Sequence, residues 1–100
     1  MRGIVKILLL LSAAFSASVL AQDDLRGRNW SIACTGCHGT EGRSVGDIPA
    51  IAGMEKARFV ELMTSYREGS KQATVMHQHA RGLSDEHIDA LGDYFSSRKP

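Results

Sequence analysis

Apolar residues fall into four ordered stretches along the 100-residue chain, and each predicts a different kind of element. Ile7 to about Leu20 is an almost continuous apolar run, interrupted by Ser12, Ser16 and Ser18. Arg2 and Lys6 precede it and Val19-Leu20-Ala21 follows, the order of positive region, apolar region and small-residue cleavage site of a secretory signal. Residues 1–21 are therefore expected to be a signal peptide cut before Gln22, leaving one domain over 22–100. The run is too short to favour a span of about 20 strongly apolar residues, so no membrane span is expected after cleavage.

The other three stretches have helical spacing. Asp23 and Asp24 can cap a helix from Leu25 to about Cys34, with Leu25, Trp30 and Ala33 as its buried positions. Gly27 weakens its first turn. From about Glu55 to Glu68, Phe59, Leu62, Met63 and Tyr66 recur at i, i+3, i+4 and i+7, and Gly69 stands as the stop. In the last stretch Ser84 is the N-cap and Asp85 and Glu86 fill the first turn. Ile88, Leu91, Gly92 and Phe95 share a face there, and Arg98 and Lys99 suit the negative end. Nothing alternates as a strand would. The expected class is all-α, three or four short helices joined by two long irregular connections, 39–54 and 70–83.

Connections of that length are unusual in so small a domain unless they are functional. The first is dense in glycine (Gly39, Gly42, Gly46), but it lacks the Gly-Lys-Ser/Thr ending and the preceding strand of a phosphate-cradling loop. Pro49 biases Ile48 away from helix and keeps the segment extended. The second carries Met76, His77 and His79 without clean periodicity. A large buried group on which both connections pack would account for them.

Charge narrows the partners. The whole chain has 12 Lys+Arg against 11 Asp+Glu, and losing Arg2 and Lys6 with the leader would leave acids in excess by one. Nucleic-acid binding needs a clustered basic excess, which is not here.

Cys34-Thr35-Gly36-Cys37-His38 supplies the group. CxxCH is the attachment signature of c-type haem: two thiols on one turn reach the vinyl groups, and the adjoining imidazole falls beneath the iron. A CxxC disulfide would close too small a loop to stabilise the chain much. A thioredoxin-like dithiol expects a βαβ context absent here, and a zinc set would have to recruit Cys34, Cys37, His77 and His79. Haem c, covalently held with His38 as proximal ligand, is the expected cofactor. The other ring nitrogen of His38 then needs an acceptor that fixes its tautomer. For the sixth position Met76 is favoured, because a loop can fold back over the opposite haem face; His77 and His79 compete with it. Met63 is expected in the core, Met54 at a helix entrance, and His87 in solvent.

From about Leu25 to Phe95 the chain resembles a small class I cytochrome c. That resemblance implies that the carbonyl of Pro49 accepts the His38 ring N–H, that Met76 is the second axial ligand, and that Trp30 packs on a last helix carrying Leu91 and Tyr94. The segments starting at Cys34, Pro49 (Pro-Ala-Ile-Ala), Phe59 (Phe-Val-Glu) and Thr74 (Thr-Val-Met) resemble the haem subunit of flavocytochrome c sulfide dehydrogenase. With a single CxxCH, the likeness is to the one-haem members or to a first haem domain. It implies a periplasmic monohaem carrier of single electrons, not catalytic by itself, docked on an FAD-containing flavoprotein that oxidises sulfide. A free-standing soluble shuttle of the same fold is the alternative, and a haem-free dithiol or zinc-binding protein a more distant one.

Overall fold

The computed structural model describes residues 3–5 and 24–100; the rest of the expected leader, the cut before Gln22 and the Asp23 cap lie outside the described residues. Among the described residues every regular element is a helix or a turn, and no strand occurs. Helix α1 covers residues 24–38. A 3-10 turn, Thr40–Gly42, follows, then α2 (Lys56–Glu68), α3 (Met76–Arg81) and α4 (Asp85–Ser96).

The core is the meeting of three apolar faces. Phe59 and Met63 come from α2, Ala80 from α3, and Ile88, Leu91, Tyr94 and Phe95 from α4. Phe95, at 0% exposure, sits at its centre, its ring 5.7 Å from that of Phe59 and 5.1 Å edge-on from that of Tyr94. Each such buried side chain contributes about 1.5–3 kcal/mol relative to exposure. The face expected of α4 is the one observed, and α2 buries Phe59 and Met63 with Tyr66 packed beside them, while Leu62, expected on that face, is only half-buried and lies outside the core cluster; Gly69 ends α2 in the left-handed region at φ 79°.

Helix α1 departs from expectation in two ways. It continues four residues past Cys34, through the cysteine motif to His38. Ser31 and Thr35 turn their hydroxyls back onto the carbonyls of Arg28 and Ile32, so neither competes for a free backbone group, and the helix stops only at Gly39 (φ 85°). Its buried face is also not the one predicted: Leu25 and Ala33 are exposed, while Gly27 and Ser31 are buried and Trp30 and Cys34 half-buried. The cause is Gly27. A Cβ there would stand 2.8 Å from the Ala90 carbonyl oxygen and 3.0 Å from Tyr94 Cβ, so the glycine lets α1 lie directly on α4.

Helix α3 corrects the reading of 70–83 as an unbroken connection. Six residues are too few to show a period in sequence, yet Met76 and Ala80, four apart, both turn toward the core. Helix α2 packs against both α3 and α4 and ties the two connections to one scaffold.

Candidate haem site

Cys34, Cys37 and His38 share the last turn of α1. Cys34 is half-buried against the core cluster, and burial pushes its thiol above the usual range; Cys37 faces solvent. Both thiols are free. His38 Nδ1 donates to the Pro49 carbonyl at 2.6 Å, which leaves Nε2 as the ring nitrogen able to bind a metal. Sequence alone asked for an acceptor, and the fold supplies Pro49, 11 residues away.

Pro49 is held by a segment folded back on the end of α4. The Gly42 carbonyl accepts from Ile51 N (2.8 Å) and Ala52 N (3.1 Å), and Gly53 N donates to the Phe95 carbonyl (2.8 Å). Arg43 reaches the Lys99 carbonyl at 2.8 Å and Glu41 at 2.7 Å. Gly42 has no room for a side chain: a Cβ would meet Ile51 Cγ1 at 2.8 Å and Phe95 Cδ1 at 2.9 Å. Gly27, Gly42 and Arg43 thus set the site without belonging to any motif, and only the density of glycine hinted at one of them.

Met76 opens α3, half-buried, and packs on the same core cluster as Cys34. Met63 is buried in the core as expected, and Met54 packs at its margin. His77 is half-buried and its Nδ1 has no hydrogen-bond partner among the described residues, whereas His79 is exposed. A buried unpaired nitrogen of this kind costs about 1–3 kcal/mol. His87 corrects the expectation of a solvated side chain. Its Nδ1 accepts from Ser84 N (3.3 Å) and the Ser84 hydroxyl (2.8 Å), and its ring lies edge-on to Trp30 at 4.0 Å. Trp30 reaches α4 as the resemblance implied, with Arg26 over its ring.

These residues fit a covalent haem. Two free thiols on one turn, an imidazole with one nitrogen fixed and the other available, and a thioether beside the same core match what c-type haem requires. The zinc set of Cys34, Cys37, His77 and His79 is not assembled: among the described residues no three His, Cys, Asp or Glu side chains converge.

Comparison with known proteins agrees with this chemistry. The cytochrome c family profile matches residues 26–99. The chain is 38% identical over 72 residues to the cytochrome subunit of sulfide dehydrogenase of Chlorobaculum tepidum, 72% of this chain and 66% of that protein. It is 32% identical over 83 residues to cytochrome c-554(548) of Halomonas halodenitrificans, covering 79% of this chain and 100% of that one. With the thiosulfate dehydrogenase electron acceptor of Stutzerimonas stutzeri it shares 30% over 63 residues, 61% of this chain and 29% of the relative. Profile, relatives and donor set converge: the chain belongs to the cytochrome c family, with covalently bound haem c as its cofactor and electron transfer as its function.

Proposed function

We propose that this chain is exported to the periplasm after loss of residues 1–21 and serves there as the haem subunit of a flavoprotein sulfide dehydrogenase. Cys34 and Cys37 would hold the haem through thioether bonds, His38 and Met76 would bind its iron, and Pro49 would fix the His38 tautomer. Haem supplies the one-electron couple. The protein supplies the rest: thioether ligation raises the potential, the core of Phe59, Met63 and Phe95 keeps water from one side, and the His38–Pro49 bond makes the imidazole a stronger donor. The sulfide dehydrogenase subunit of Chlorobaculum tepidum, 38% identical, carries the partner reading.

Purification of the tagged protein from its own cells tests it. An FAD-binding protein should co-purify, and the mature chain should begin at Gln22 with a haem-sized mass increment that survives denaturation. Recovery as a haem-loaded monomer alone would favour the second reading, a free shuttle, which the full-length alignment with the Halomonas cytochrome supports. Met76→Ala should open the iron to added ligands and lower the potential; an unchanged spectrum and potential would remove Met76 from the ligand set.

A further inference from the structure

A basin of about 740 Å³ lies between the C-terminal end of α2, the connection 69–75 and α3. It is not the side of α3 that meets the core. Met76 and Ala80 turn to the core, while His77 and Arg81, one position further round the helix, line the basin. None of Cys34, Cys37, His38 or Met76 lines it.

We propose that this basin binds a small multiply charged oxyanion of the phosphate or sulfate class. Its walls present donors in excess: the Lys71 ammonium, the Arg81 guanidinium, the Gln72 amide, the Thr74 hydroxyl and His77. Lys71 and Arg81 are exposed and have no ion pair among the described residues, so two cations face the space uncompensated. Arg67 also lines the basin, but it is committed to Asp85 (2.6 Å) and to the Leu83 carbonyl (3.2 Å) and acts as a fixed wall. His77, half-buried, lines the same wall, and its buried Nδ1 has no hydrogen-bond partner among the described residues, so no neighbouring side chain ties the ring down there. An acceptor-only ligand is matched by both cations at once, and charge-assisted bonds of this kind are the stronger ones. The lone carboxylate on the rim, Glu68, opposes binding.

The proposal is independent of which protein reduces the haem. Its test is amide NMR of the ferrous holoprotein titrated with sulfate or phosphate, at ionic strength held constant with chloride. Saturating shifts confined to residues 69–74, 77 and 81, with either anion, are the expected result. The double variant Lys71→Gln/Arg81→Gln should bind about tenfold more weakly, as loss of charge-assisted donors implies, and Glu68→Gln should bind more tightly. Lys99→Gln, outside the basin, should leave binding unchanged. Shifts that never saturate, that chloride reproduces, that scatter over the surface, or that persist undiminished in the double variant would overturn the site.

Discussion

Helix α4 and the segment 39–53 are joined at Phe95 and Gly53, yet they are determined in opposite ways. Helix α4 is specified by its own neighbours. Ser84 and His87 close a capping box, Asp85 and Glu86 occupy the positive end, and the buried face repeats at helical spacing. The segment 39–53 has no such grammar. Its path follows from glycines at positive φ and from bonds to distant backbone: Gly42 to Ile51 and Ala52, Arg43 to Lys99, Gly53 to Phe95. Val45 is fully exposed, and Ile48 and Pro49 are also at the surface. Yet the acceptor that orients His38 lies in this segment, so the geometry of the proposed haem ligand rests on the region with the least local support.

The strongest way to break the contrast is to remove the residue both regions use. Phe95→Ala should destabilise the holoprotein by about 3–5 kcal/mol in denaturant unfolding, since a fully buried ring is lost and the cavity faces both α2 and Gly42. A loss below about 1 kcal/mol would mean that the core closes over the site. Gly42→Ala should cost about 1–3 kcal/mol, from a Cβ at φ 80° meeting Ile51 and Phe95. Its signature separates the regions: amides of Ile51 and Ala52 should exchange faster while those of α2 and α4 keep their protection. Uniform acceleration would show that the two regions unfold as one.

The same contrast explains what could be seen in the sequence. Helices α2 and α4 are legible because burial there recurs every three or four residues, Gly69 stops the first and Ser84 caps the start of the second. CxxCH was legible because its chemistry is local to five residues. The true face of α1 was not, since Gly27 has no hydropathy signal and is buried only because Ala90 and Tyr94 come within reach. Helix α3 is hidden by its length, and the setting of His87 is hidden because its ring meets Trp30, 57 positions earlier in the chain. Pro49 could be named only through family resemblance; the structure brings its carbonyl to His38, but no property of residues 49 and 38 in isolation predicts a 2.6 Å contact.

Smaller substitutions sharpen the comparison from the helical side. Ser84→Ala removes the acceptor for His87 N and the hydroxyl that meets His87 Nδ1, and should cost about 1 kcal/mol in thermal or denaturant unfolding. Fraying should be confined to the first turn of α4 and the Trp30 contact, visible as a change in tryptophan fluorescence, with Ile51 and Ala52 exchange unaltered.

Lys56→Gln tests the weakest tie, a surface clamp from the first residue of α2 to Asp89 and Asp93 of α4, both at 3.0 Å. Hydrogen bonds to Asp93 and then Asp89 hold the Lys56 ammonium above its ordinary range. A raised folded value means that the contribution is complete below the ordinary lysine pKa of about 10.4 and fades as pH rises through the folded value. The side chain is 38% exposed, so screening keeps the gain to about 0.2–1 kcal/mol. The difference in unfolding free energy between wild type and variant should therefore be constant from neutral pH to about pH 9, shrink as pH rises through the folded lysine value, and shrink at about 1 M salt. A difference that ignores both salt and alkali would assign the role of Lys56 to its methylene stem, which lies against Gly92, rather than to its charge.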